Sequence, residues 1–245
     1  MSQFDALKQP FELEVDLQRS RFADLGGRYD QTHSGRDEHG FAAAWLAGCC
    51  DFYGFGSLLE VGAGTGRFYH QLRQRCPSLQ YTGIEPTREL REEGHAHGVP
   101  PAQLVDGNGY DLRFPDHSID LLVEFAMLHH VKHPALVVGE MLRVARRAVF
   151  ISDNNCFGHG SAVKRGVKQM LRASGLFRLA SHINTRGKGH LEFGDGISYT
   201  YSVFDNLRQI RAACREVYIL NTDPMLSGKS AFRSAGHVAL LALKA

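Results

Sequence analysis

The residues that could do chemistry begin in the stretch LLEVGAGTGRF, where Gly62, Gly64 and Gly66 follow Glu60 and Val61 at alternate positions. After a strand, glycines that lead into a helix let the backbone turn tightly and bring its N–H groups close to a ligand. A dinucleotide fingerprint, G-x-G-x-x-G, needs its third glycine at position 67, where this chain has Arg67. The glycine that lets the helix pack on the sheet in that motif is therefore missing. Glu85 ends the next β-rich run, 23 residues after Gly62. An ionised carboxylate accepts through two oxygens and suits the two hydroxyls of a ribose. The alternative is a solvated acid at a strand end.

Further along, His129 and His130 follow a fourth apolar run, and Asp153 ends a fifth. Histidine is the natural general base at neutral pH, so His129 is a candidate for catalysis, with His130 behind it. The competing reading is that the stretch LHHV packs a loop and bonds backbone. Asp153 can orient an acceptor hydroxyl or amine, or simply cap the segment that follows. Tyr199 and Tyr201, around Asp195, can shape an aromatic acceptor pocket or lie flat in a hairpin. The other histidines, His95 and His97 among them, show no metal-ligand spacing, and no metal is expected.

These residues need elements to hold them. Strands are expected at 57–61, 79–86, 102–107, 119–125 and 147–153, with helices over 66–76, 87–97 and 134–147 between them. Strands alternating with helices imply βαβ units and a mostly parallel sheet covered on both faces. The runs 215–220 and 237–245 read as a terminal antiparallel pair, preceded by a helix over 204–215. Upstream, Phe41, Ala44, Trp45, Cys49 and Phe52 fall on one helical stripe, which Gly54 and Gly56 terminate.

The pieces LLEVGAGTG, GIEP, FPDHSIDLLVE, LHHV and EMLRVARR leading into AVFIS resemble, in order and spacing, the class I S-adenosylmethionine-dependent methyltransferases. The narrower likeness is to the subgroup with many quinone, sterol and natural-product methyltransferases. The resemblance covers residues 57–153 and implies a doubly wound α/β, Rossmann-like sheet of seven strands in the order 3-2-1-4-5-7-6. It also implies S-adenosylmethionine as methyl donor. Glu60 and the backbone of Gly62, Ala63, Gly64 and Gly66 would hold the donor's amino-acid end, and Glu85 its ribose. Asn108 stands where the family commonly has an acid facing the adenine amino group, Gly109 would offer its N–H to the ring, and Asp106 is the competing choice. Glu124 would line the methionine end.

The implied organisation is a helical N-terminal cap over 1–56 and a donor-binding domain over 57–245, interrupted by a lid insertion at 154–203. From Asn154 to Leu191 the chain has seven Lys or Arg and no acid. Within it, Val163, Val167, Met170 and Leu171 form an apolar stripe beside Lys164, Arg165, Lys168 and Arg172. Such a helix can lie on an anionic surface, grip a phosphate-bearing acceptor, or dock on the core with its cations in solvent.

Composition narrows the partners. A net charge of +2 argues against a wholesale polyanion binder, so nucleic acid is disfavoured as acceptor relative to a small or lipid-linked molecule. The five cysteines contain no CxxC pair and read as reduced thiols of a cytoplasmic protein. The first 22 residues carry acids throughout without an apolar core, so no signal peptide is expected. No apolar run is long enough for a transmembrane helix, which leaves peripheral membrane contact open. A nucleic-acid or protein methyltransferase, a non-catalytic binding protein of the same fold and a nicotinamide oxidoreductase remain alternatives. Arg67 disfavours the last. The sequence does not set an oligomeric state.

Overall fold

The computed structural model describes residues 16, 19, 20, 38–185, 190–192, 196–223 and 230–245. Seven strands form one sheet: β1 (Ser57–Val61), β2 (Gln80–Ile84), β3 (Leu104–Val105), β4 (Ile119–Phe125), β5 (Ala145–Asn154), β8 (Glu216–Asn221) and β9 (His237–Leu243). A separate hairpin pairs β6 (His190–Glu192) with β7 (Gly196–Ser198). The sheet order is β3-β2-β1-β4-β5-β9-β8, with β9 antiparallel to both neighbours and the other pairs parallel. This is the 3-2-1-4-5-7-6 order that the resemblance implies.

Both faces of the sheet are buried, which is why β1, β4 and β5 read as nearly continuous apolar runs. On one face Leu58, Leu121, Val123, Phe125, Phe150 and Leu241 pack with α1 (Glu38–Tyr53) and α2 (Arg67–Arg75). On the other, Leu59, Val61, Leu122, Ile151 and Leu240 meet Val137, Val138 and Met141 of α4 (Pro134–Val144). The alternation of β4 residues between the two clusters is the period-2 geometry of a strand. β3 is shorter than its sequence run, because only Leu104 and Val105 pair with β2.

Two expectations need correction. In α1 the buried residues are Ala42, Ala43, Leu46, Ala47, Cys49 and Cys50, while Phe41 is exposed and Phe52 is 81% exposed. The buried face is therefore turned by about one residue, or about 100°, from the stripe through Phe41 and Phe52. Small side chains let the helix lie close on β5 and β9, and the two phenylalanines end outside. Most of the remaining 1–56 cap lies outside the described residues.

The second correction concerns the segment 154–203, expected to be a lid. It contains α5 (Ala162–Ala173), α6 (Phe177–Thr185) and the β6–β7 hairpin; residues 186–189 and 193–195 lie outside the described residues. Ser161 caps α5 by accepting from the Lys164 N–H. The α5 cations Lys168 and Arg172 turn inward rather than into solvent. Lys168 Nζ donates to the carbonyls of Cys156 at 2.7 Å and His159 at 3.2 Å. The Arg172 guanidinium lies 4.5 Å from the Phe157 ring centroid. Val163, Val167 and Met170 face outward.

The glycine turn after β1 is wedged against α3 (Arg88–Ala96). A Cβ at Gly94 would lie 2.5 Å from the Thr65 carbonyl oxygen and 2.6 Å from Leu104 Cδ2. Gly94→Ala gains about 1 kcal/mol of helix propensity yet overpacks a backbone contact, which costs about 1–3 kcal/mol. We expect a net fall in thermal midpoint of a few degrees, at about 2–4 °C per kcal/mol. A rise in the midpoint by differential scanning fluorimetry would contradict this packing.

Candidate active site

The candidate residues converge on the carboxyl ends of β1, β2, β4 and β5, where open α/β sheets receive ligands. Gly62 leaves β1 with φ 74°, and Gly64 and Gly66 also have positive φ. Gly62 has a further reason to lack a side chain: an added Cβ would run into Met127. The Gly62 and Ala63 N–H groups both donate to the Ile84 carbonyl, at 2.9 and 3.0 Å, which ties the turn to the end of β2. The Gly64 N–H instead donates to Glu85 Oε2 at 3.1 Å.

Glu85 is buried, and its other oxygen accepts from the Thr87 N–H at 2.8 Å. Burial raises its pKa, opposed by the N–H groups of Thr87 and Gly64 and by Arg91. Arg91 donates to the Glu85 carbonyl and pairs with Asp106 at 2.9 Å. Arg19, from the N-terminal region, donates to the Pro86 carbonyl at 2.9 Å and lies 3.9 Å from Asp106. Asp106 is thus held in a cationic bracket. Asn108 Oδ1 accepts from the Tyr110 N–H at 2.9 Å, closing the loop after β3. A Cβ at Gly109 would crowd Val137 and Val61, so this loop runs close over the end of β1.

Glu60 sits beneath the turn, 1% exposed, and accepts from the Tyr81 hydroxyl at 2.5 Å. Burial pushes its pKa up to about 8, against the opposing pull of Tyr81 and Arg67. At the end of β4, Glu124 is fully buried; its Oε2 accepts from the Met127 N–H at 3.0 Å, and Oε1 has no hydrogen-bond partner. Burial and the nearby Asp153 carboxylate raise Glu124 well above the ordinary range. Between these groups Ala126 adopts φ 56°, a left-handed conformation that costs a non-glycine residue energy and clusters at functional sites.

His129 and Asp153 meet. The ring Nδ1 lies 2.7 Å from Asp153 Oδ1, and the His129 backbone N–H donates to Oδ2 at 3.2 Å. Burial would raise Asp153, but the charge and hydrogen bond of His129 and the Asn154 N–H hold its pKa below the usual value. An ionised carboxylate only accepts, so Nδ1 carries the proton and Nε2 is the ring's basic nitrogen. His130 serves the lid instead, with its Nδ1 2.9 Å from the Ile197 carbonyl of β7. The Tyr199 N–H donates to the His129 carbonyl at 2.7 Å, so the lid hairpin clasps the same loop. Tyr201 is buried, with its hydroxyl donating to Asn206 Oδ1 at 3.1 Å, and forms core rather than pocket wall.

Several participants carry no local sequence signal. His237, the first residue of β9, lies 2.7 Å through Nδ1 from Thr222 Oγ1, and its Nε2 has no hydrogen-bond partner. Its ring stands edge-on to His39 of α1 at 4.4 Å, and His39 Nδ1 lies 3.4 Å from Ser152 Oγ. Burial and the neighbouring His39 keep His237 neutral. Tyr81, Met127 and Arg19 likewise act across the fold and show only in three dimensions.

Four buried acids at one edge, a turn of positive-φ glycines and an unpartnered carboxyl oxygen fit a cationic, hydroxyl-bearing guest. The S-adenosylmethionine implied by the resemblance has that chemistry. A family profile described as a methyltransferase domain matches residues 59–151. An uncharacterized methyltransferase of Mycobacterium marinum is 32% identical over 150 residues, 58% of each chain. One from Mycobacterium tuberculosis is 29% identical over the same length and coverage. The chain thus spans a little over half the length of these relatives. Among solved structures, the YcgJ protein of Bacillus subtilis superposes with TM-score 0.53 at 15% identity, covering 84% of this chain and 99% of its own. Magnesium protoporphyrin IX methyltransferase of Synechocystis PCC 6803, with bound SAM, gives TM-score 0.53 at 10% identity, covering 85% and 80%. Residues 59–151 therefore match a methyltransferase domain, and the sheet built around them has the fold of a solved methyltransferase.

Proposed function

We propose that the chain transfers a methyl group from S-adenosylmethionine to a small-molecule or lipid-linked acceptor. The observation that carries this reading is the buried Glu85 carboxylate, fixed by the Gly64 and Thr87 N–H groups at the mouth of the glycine turn. When bound, the donor supplies a sulfonium methyl carbon already activated toward a nucleophile. What the chain itself contributes is then orientation, where most of the acceleration in such a reaction lies. Glu85 takes the ribose hydroxyls, and Gly62 to Gly66 with Glu60 take the amino-acid end. Asn108 and Gly109 border the adenine, and Glu124 lines the methionine side.

On the acceptor side, Asp153 fixes the His129 tautomer, and His129 Nε2 takes the acceptor's proton where one must leave. This is the orienting logic of a carboxylate–histidine pair. The inward turn of Lys168 and Arg172 supports a small or lipid-linked acceptor over nucleic acid, since those cations already serve carbonyls and rings of the chain itself.

The decisive experiment follows a radiolabelled methyl group from S-adenosylmethionine into fractionated cell extract. Label in a lipid or small-molecule fraction that vanishes with Glu85→Ala is expected; label in protein or nucleic acid overturns the acceptor class. Binding of S-adenosylhomocysteine with no label in any fraction favours a non-catalytic binder. Glu85→Ala removes two hydrogen bonds to a charged group worth about 1.5–3 kcal/mol each, so S-adenosylhomocysteine affinity falls by about 10²- to 10⁴-fold. Asp153→Asn keeps that affinity within about threefold but lowers transfer by about 10²- to 10⁴-fold. Equal losses of binding and transfer would contradict the division of roles.

Glu60 adds a pH test. Its proton is held in the fold up to about pH 8 but lost near 4.5 when ordinary and solvated. Between those limits the folded state binds more protons than the unfolded, so this contribution to stability falls as pH rises. A ligand ammonium beside Glu60 displaces that proton. S-adenosylhomocysteine affinity should therefore rise from pH 6 to 8, by up to about tenfold per unit, and Glu60→Gln should flatten the rise. Calorimetry in buffers of different ionisation enthalpy reads the released proton directly.

A further inference from the structure

One buried polar atom at the sheet edge has no work in donor binding or in the His129–Asp153 pair. His237 is 5% exposed, and its Nε2 has no hydrogen-bond partner among the described residues. Register fixes its place: as the first residue of the antiparallel β9 it pairs with Asn154, one residue beyond Asp153. It therefore stands at the carboxyl end of β5. In step with Ala239 and Leu241 it faces α1, whereas Asp153, in step with Ile151, faces the other side.

Thr222 fixes which hydrogen is concerned. It is fully buried, and His237 Nδ1, at 2.7 Å, is its hydroxyl's one partner among the described residues. A buried hydroxyl with a single partner donates to it, since accepting would strand its own proton. Nδ1 therefore accepts, and Nε2 carries a hydrogen without an acceptor. Rings surround it. His39 stands edge-on to His237 at 4.4 Å and to Phe68 and Phe125 at 6.4 Å each. Phe68, in the first turn of α2, stacks at 4.0 Å on Phe125, which ends β4. The rings thus run from the glycine turn to His237.

We propose that the His237 Nε2–H binds a neutral carbonyl oxygen on an apolar methyl acceptor. A buried N–H without a partner is costly, and an incoming oxygen removes that cost. A carboxylate fits less well, because Asp153 nearby is ionised and His237 is neutral. The aromatic side chains suit an apolar body. That the oxygen belongs to the methyl acceptor rests on the transferase reading; the stranded N–H does not.

The test is heteronuclear NMR of the imidazole nitrogens, with and without S-adenosylhomocysteine, the His237 signal being assigned by its loss in His237→Phe. The probe is acetophenone, and ethylbenzene, which lacks the oxygen, is its control. Nε2 is expected to be protonated, and its proton to move downfield with acetophenone alone. Thr222→Val should raise the acetophenone concentration needed by about tenfold. His237→Phe should raise the amount of label-accepting extract fraction needed for half-maximal transfer by about tenfold, more than it lowers the maximal rate. His237→Gln, which keeps an N–H, should restore it, and neither variant should change S-adenosylhomocysteine affinity. A proton on Nδ1 or equal responses to the two probes would overturn the inference. So would an upfield Nε2 proton that acetophenone leaves in place, which seats the N–H on the His39 ring. A responding Nε2 with no transfer to any fraction keeps the carbonyl site and strikes the transferase reading alone.

Discussion

Everything at the carboxyl edge depends on one narrow passage: the chain leaving β1 must fit between the Ile84 carbonyl and the Met127 side chain. Only backbone fits there. Gly62 supplies it, and the two N–H groups donated to Ile84 fix the direction in which the chain leaves. Once that direction is set, the Gly64 N–H faces Glu85, Thr65 meets Gly94, and α2 begins at Arg67. Two further glycines make close contacts around the turn: Gly66 against Val99, and Gly94 of α3 against the Thr65 carbonyl.

The same edge concentrates buried acid. Glu60, Glu85, Glu124 and Asp153 are each at most 6% exposed. Like charges this sheltered cannot all ionise, and they divide. Burial raises Glu60, Glu85 and Glu124, whereas Asp153 is kept ionised by His129. Such an edge is poised for a cation: positive charge arriving beside it offsets desolvation already incurred on folding. The left-handed Ala126 adds local backbone strain at the same edge.

How much of this is legible in the sequence follows from how far each constraint reaches along the chain. β1 and β4 match their expected bounds because a strand buried on both faces writes an unbroken apolar run. The expected strand order and donor residues rest on the spacing of short motifs, each local. The buried face of α1 escapes a reading by hydrophobicity because Phe41 and Phe52 outweigh Ala42, Ala43 and Ala47, while close packing on the sheet selects the small residues. Tyr201 reads as pocket wall for a similar reason: its partner Asn206 and the cluster around it are tertiary facts. His237, 108 residues beyond His129, has no pattern that could announce it.

The near-neutral net charge conceals a polar division of labour. The acids that matter sit buried along the sheet edge, and an acid-free cationic stretch follows directly from β5. Over the whole chain 28 Lys and Arg nearly cancel 26 Asp and Glu, which is why composition argues only against a general polyanion binder. Separated in space, they act differently. The buried acids tune an interior that favours positive charge, and the lid's cations hold Cys156, His159 and Phe157 so that aliphatic side chains are left facing out. The inversion of α5 is thus a consequence of its charges finding partners inside. A helix whose cations were solvated would have buried Val163, Val167 and Met170 and sealed the lid against the body. This one cannot, because the carbonyls beneath it already hold its basic side.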